Sequence, residues 1–226
     1  MPDIPAMQPL SIQSHLRFPL TRLLANGGAV RILRALFLYG GPLSVTQISH
    51  ETGITPQGVR LALNNLIGQQ IVTEMGRARS MLYQANMKHP MASSLNALFA
   101  DEKAHWESIL RSLRSLIGAI DSVEAAWYYG SVARAEDRPD SDLDIAIVAS
   151  GELDATVEVV REALRSVESS YAITCSVAGV HVSEVARMAE ENVWWKEVAR
   201  DAQVLKGVLP DRLVRKLAAS ATAKSA

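Results

Sequence analysis

The stretch WYYGSVARAEDRPDSDLDIAIV, residues 127–148, constrains this chain more than any other part of it. It sits between and within two apolar runs, VEAAWYY and DLDIAIV, that read as strands. The first strand ends at Tyr129. Gly130 then lets the chain turn and lets a ligand approach the backbone closely. Ser131 offers a hydroxyl and an amide at a helix start, where N–H groups point outward and suit a phosphate. Asp142 and Asp144 stand two apart on the second strand, so both carboxylates leave the same face. Two like charges that close repel unless a cation bridges them. Hard oxygen ligands beside a phosphate site point to Mg2+ carrying a nucleoside triphosphate, with ATP the first candidate.

Charge divides the 226 residues into two parts. Residues 1–90 hold 8 Arg/Lys against 3 Asp/Glu, a balance of +5, and residues 91–226 hold 15 against 21, a balance of −6. A basic front and an acidic back imply two domains with different partners. With 48 % apolar and 21 % charged residues the chain can bury real cores, and with 5 % aromatics those cores must be mainly aliphatic. Cys175 is the only cysteine, which excludes an intrachain disulfide and a cysteine-built metal cluster. The start MPDIPAMQPL lacks the pattern of a secretory signal, and no apolar stretch is long enough to span a bilayer. The expectation is a cytoplasmic protein with no membrane partner.

Residues 1–20, with four prolines, read as an irregular arm. Residues 21–90 read as three short helices followed by a hairpin. AVRILRALFLYG has apolar residues at helical spacing and stops at Gly40–Gly41–Pro42. Ser44 can cap VTQISHET, and Thr55–Pro56 opens QGVRLALNNLIGQQ. IVTEM and MLYQA follow as β-runs joined by GRARS. This is the order of a winged helix-turn-helix, and LSVTQISHETGITPQGVRLALNNLIGQQIV resembles bacterial winged-helix regulators in its cap and apolar positions. The resemblance implies double-stranded DNA as partner. Thr55, Gln57, Gly58, Arg60 and Asn64 on or near the outer face of the third helix, with Arg77 and Arg79 at the wing tip, are the candidate contacts. Leu61 departs from the polar residue that such regulators more often carry there. A winged helix used for protein contacts is the alternative.

Residues 91–120 read as one long helix. Phe99, Trp106, Leu113 and Ile120 recur every seven residues, as do Glu102, Ile109 and Leu116. This stripe fits either a homodimer seam or packing on the next domain. Beyond it, strands alternate with helices at 152–169 and 184–203, and 209–226 reads as a tail whose end frays. The five histidines are scattered without metal-ligand spacing. Trp194–Trp195 read as closing the C-terminal core, with one of them lining a nucleotide pocket as the alternative.

Gly130–Ser131, Ala133–Arg134 and Ser141–Asp142–Leu143–Asp144–Ile145 together resemble the signature of the minimal nucleotidyltransferases of the DNA polymerase β superfamily, over about residues 121–208. The resemblance implies that Gly130 and Ser131 hold the triphosphate, that Asp142 and Asp144 bind Mg2+, and that an acceptor hydroxyl attacks the α-phosphate with release of pyrophosphate. Arg134 either pairs with a phosphate oxygen or is a solvated helix arginine. Active members carry a third carboxylate on a later strand. The matching strand here, Ile173–Val182, has no Asp or Glu, and Ser176 or Cys175 takes the place. Glu168 and Glu184 lie outside it. The expected architecture is therefore α+β: a winged helix, a linker helix, and a nucleotidyltransferase-fold mixed sheet with flanking helices. The expected function is a DNA-binding transcriptional regulator whose nucleotide-binding domain is catalytically weak. The alternative is an active transferase acting on a protein or small-molecule hydroxyl, with an antitoxin-like role among its forms.

Overall fold

The computed structural model describes residues 19–77 and 80–224. The chain divides into two compact units, Met1–Ala104 and His105–Ala226. Most of the arm, the wing-tip Arg79 and the last two residues lie outside the described part.

In the first unit, a short turn of helix, α1 (Leu20–Leu23), precedes α2 (Gly27–Tyr39), α3 (Val45–Thr52) and α4 (Pro56–Gly68). The caps explain these boundaries. The Asn26 side chain accepts the Ala29 N–H at 2.8 Å, so the helix begins at Gly27, two residues ahead of the apolar-spaced run. Ser44 and Gln47 form a reciprocal capping box. Thr55 caps α4, with Pro56 at its first position. The strands β1 (Val72–Met75) and β2 (Leu82–Ala85) pair antiparallel, and Leu43 bridges to Tyr83 as a third, one-residue strand. Leu33, Leu36, Ile48, Val59, Leu63 and Leu66 are buried together, each such side chain contributing about 1.5–3 kcal/mol of transfer free energy.

The unit boundary falls inside α5 (Ala92–Gly118). Ala92, Leu95 and Phe99 are buried in the first unit's core; Trp106, Ile109, Leu113, Leu116 and Ile117 pack in the second's. The seven-residue stripe thus packs on the chain's own cores, with Trp106, Leu116 and Ile120 half-buried there. Glu102, the break in that stripe, accepts hydrogen bonds from both Nε and a terminal nitrogen of Arg34.

The second unit is built on a four-stranded mixed sheet in the order β5-β4-β3-β6. Its strands are β3 (Val123–Tyr129), β4 (Leu143–Ala149), β5 (Cys175–His181) and β6 (Gln203–Lys206). A one-turn helix, α6 (Gly130–Ala133), leads out of β3, and α7 (Leu153–Tyr171) crosses from β4 to its parallel neighbour β5. Period-2 alternation gives the sheet two buried faces. Val123, Ala126, Tyr128, Ile145, Ile147 and Val177 pack with α5 and α7. Ala125, Trp127, Ala146, Val148 and Val180 pack on the other side, against the C-terminal helices. No helix among the described residues is long and apolar enough to cross a membrane.

Two expectations need correction. The helix read at 184–203 is two helices, α8 (Val185–Glu191) and α9 (Val193–Asp201), divided at Asn192. The Asn192 side chain accepts the Trp195 N–H and starts α9 afresh. The segment 209–226, read as a tail, is helical as α10 (Pro210–Lys224). Pro210 suits a first turn, and Leu213, Val214 and Leu217 form a stripe that packs on the core.

Candidate functional site

Gly130 has φ +75°, and a Cβ there would lie 2.7 Å from Asp144 Oδ2. Both facts restrict the position to glycine. Tyr129 pairs with Asp144 in the antiparallel β3–β4 ladder, which lays the G-S turn over the second carboxylate. Asp142 is exposed at the entry to β4, and Asp144 is half-buried. Burial, and then the charge of Asp142, push the Asp144 carboxyl above its ordinary range. Ser131 is half-buried, and its hydroxyl makes no hydrogen bond among the described residues. With only four residues, α6 brings little helix dipole, so backbone amides and this hydroxyl are what the turn offers an anion.

Among the described residues no three Asp, Glu, His or Cys side chains converge on one point. The acidic pair therefore fits one hard cation that brings most of its own ligands as water and phosphate oxygens, which is how Mg2+ is usually held. It does not fit a closed protein cage.

The register of β5 decides which residue stands where a third acid would be. Asp144 is in register with Ser176, and Leu143 with Cys175. Paired residues on neighbouring strands share a face, so exposed Ser176 sits beside Asp144. Cys175 faces the α5/α7 core, where burial, with the charges of Glu168 and Asp142, raises its thiol to about 11. Glu168 is occupied as acceptor of the Cys175 N–H at 2.8 Å, and Glu184 is paired with Arg187. The same row continues to the other side, so that Ser176, Asp144 and Tyr129 lie side by side on one face.

Arg134 is engaged by protein carboxylates. Its Nε donates to Glu136 at 2.8 Å and a terminal nitrogen donates to Asp201. The Asp201 side chain is 5 % exposed and also accepts two bonds from Arg200. The paired guanidiniums lower the Asp201 pKa to about 2. Arg134 thus ties the G-S helix to the end of α9. This partnership is invisible locally, because Asp201 lies 67 positions downstream. At the other end of α9, Trp194 Nε1 donates to Tyr129 Oη at 2.9 Å. Trp195 is buried against Trp127.

In the first unit, Gln57, Arg60, Leu61 and Asn64 are exposed on α4, Leu61 at 67 %. Thr55 is exposed and uses its hydroxyl to cap α4. Gly58 is half-exposed, and a Cβ there would come within 2.9 Å of Ile54 Cγ2, so the glycine lets Ile54 pack close to the start of α4. Arg77 is exposed.

Residues 112–182 match the family model of polymerase beta, nucleotidyltransferase. A crystal structure of a toxin–antitoxin with AMP-PNP aligns with a TM-score of 0.36 and 18 % identity, covering 50 % of this chain and 86 % of that one. A toxin–antitoxin MntA–HpeT mutant aligns with a TM-score of 0.35 and 17 % identity, covering 51 % and 86 %. No curated protein matches. The family model alone makes residues 112–182 of the second unit similar to the nucleotidyltransferases.

Proposed function

We propose that this chain is a DNA-binding regulator whose second unit binds a Mg2+–nucleoside triphosphate, ATP in the first instance, and transfers nucleotide slowly or not at all. The observation that carries the reading is Ser176, a neutral hydroxyl in register with Asp144 where an active site needs a third carboxylate. Gly130 and Ser131 would receive the triphosphate, and Asp142 and Asp144 would hold the cation. Bound there, Mg2+ supplies charge neutralisation for the phosphates and orients them. Ser176 offers neither an anionic ligand for a second cation nor a base for an acceptor hydroxyl. The nucleotide is then held without efficient activation of an attacking group.

On this reading residues 21–90 are a winged helix. The α4 face bearing Gln57, Arg60 and Asn64 enters a groove of double-stranded DNA, Thr55 supports it at the helix start, and Arg77 and Arg79 contact phosphates. Residues 121–208 are the nucleotide-binding domain, with α5 between. The second reading is an active transferase that modifies a protein or small-molecule hydroxyl, in the manner of an antitoxin. It is favoured by the intact geometry of Gly130 against Asp144.

Calorimetric titration with each nucleoside triphosphate, with and without Mg2+, tests the binding. Asp142→Asn with Asp144→Asn should remove the Mg2+-dependent part of the affinity. Transfer of labelled nucleotide separates the two readings. Rates of order 1 s⁻¹, at the low end of ordinary turnover, establish the active transferase. Slow transfer raised by Ser176→Asp, and not by Cys175→Asp, supports the regulator.

A further inference from the structure

We propose that Trp194 is the stacking platform for the base of the bound nucleotide, an inference that rests on the nucleotide-binding reading of the Gly130–Asp144 site. A purine or pyrimidine ring needs an exposed aromatic surface within one nucleoside of the triphosphate. On the sheet face that carries Asp144, the partly exposed aromatic rings among the described residues are Tyr129 and Trp194. Trp106 and Tyr171, the other half-buried rings of this unit, pack with the opposite face. The two flanks of Asp144 differ accordingly. Ser176 and Ala178 on β5 offer no ring, whereas Tyr129 on β3 leads directly to the indole.

The indole is held in place before any ligand arrives. Its N–H is spent on Tyr129 Oη. Tyr129 and Trp195 meet it at 84° and 68°, so neither ring lies parallel to it. Helix α9 is fastened to the G-S segment at both ends, by Trp194 on Tyr129 and by Asp201 on Arg134. An aromatic surface fixed in this way costs little conformational entropy when a base docks. It discriminates weakly among bases, because every base has a π-face.

The test titrates the full chain with ATP and with inorganic tripolyphosphate, both with Mg2+. Wild type should bind ATP more tightly than tripolyphosphate. Trp194→Leu should lose about tenfold on ATP and nothing on tripolyphosphate, while Trp194→Phe should stay within about threefold of wild type on both. Should the leucine variant fail to fold, indole fluorescence decides: ATP should quench wild type and not Trp194→Phe, and tripolyphosphate should quench neither. Unchanged ATP affinity in Trp194→Leu, equal losses on both probes, or quenching that survives in Trp194→Phe overturns the platform. Wild type that binds the two probes equally also overturns it and leaves the phosphate site standing. Wild type that binds neither overturns the nucleotide reading itself.

Discussion

Helix α4 in the first unit and the β3–α6–β4 segment in the second carry the two candidate surfaces, and they spend their residues differently. On α4 the inward stripe of Val59, Leu63 and Leu66 does the packing, and Gln57, Arg60 and Asn64 are exposed. In β3–α6–β4 the same residues build the fold and the site. Gly130 is required by its φ and by Asp144; Asp144 is a ladder residue as well as an acid; Arg134 is a structural tie. A surface of the first kind can change its ligand without changing its stability. A site of the second kind cannot, and its chemistry is limited by what the sheet tolerates.

The sharpest way to break this contrast is Gly130→Ala. It forces an L-residue to φ +75° and drives a methyl against Asp144. A loss of about 2–4 kcal/mol is expected in denaturant unfolding, together with loss of Mg2+-nucleotide binding. Full stability in this variant would show that the turn is not held against β4.

Asp201→Ala comes next. It removes the tie from Arg134 and Arg200 to the end of α9 and leaves Arg134 with Glu136, for an expected loss of about 0.5–1.5 kcal/mol at neutral pH. The sign with pH follows from the lowered pKa of about 2. The folded protein holds this acid ionised more readily than the unfolded chain does. Its contribution is therefore complete above the ordinary Asp range and disappears as pH falls through 2. Wild type and variant should converge at that end of the scale, as followed by acid unfolding.

The triple change Gln57→Ala, Arg60→Ala, Asn64→Ala addresses the other side of the comparison. Unfolding should move by less than about 0.5 kcal/mol per site. Duplex DNA affinity at low salt should fall at least about tenfold, with one phosphate contact fewer in the salt slope if Arg60 meets the backbone. A gel-shift series over salt reads both quantities. Equal DNA affinity in the variant shows that this face of α4 does not contact the duplex, and a wild type that binds no duplex above a random sequence at low salt makes this unit a protein-contact module.

The smallest effect has the opposite sign. Asp144 is raised by burial and by Asp142, so its ionised form opposes folding. Asp144→Asn should raise the unfolding temperature slightly above the carboxylate range. The gain should vanish as pH falls below the ordinary Asp value of about 3.9, where the wild-type acid is neutral in both states. A variant less stable than wild type at neutral pH would mean that the acid is held by bonds rather than strained by its neighbour.

What this chain's sequence determined by itself was local. Caps at Ser44 and Thr55, the alternation that puts Asp142 and Asp144 on one face, and the turn at Gly130 all follow from forces acting over a few residues. The helices and strands they delimit could be placed from periodicity, whereas the third-acid position on the later strand was implied by the family resemblance alone. Tertiary structure decided the rest. Ser176 rather than Cys175 stands beside Asp144 because the β4–β5 register is set by packing across α7, and a shift of one residue exchanges the two faces. Arg134 found Asp201, and Trp194 found Tyr129, because α9 begins again at Asn192 and lies along the G-S segment. The seven-residue stripe of α5 could not name its partner, because a helix face records only that it is apolar and not which core will cover it.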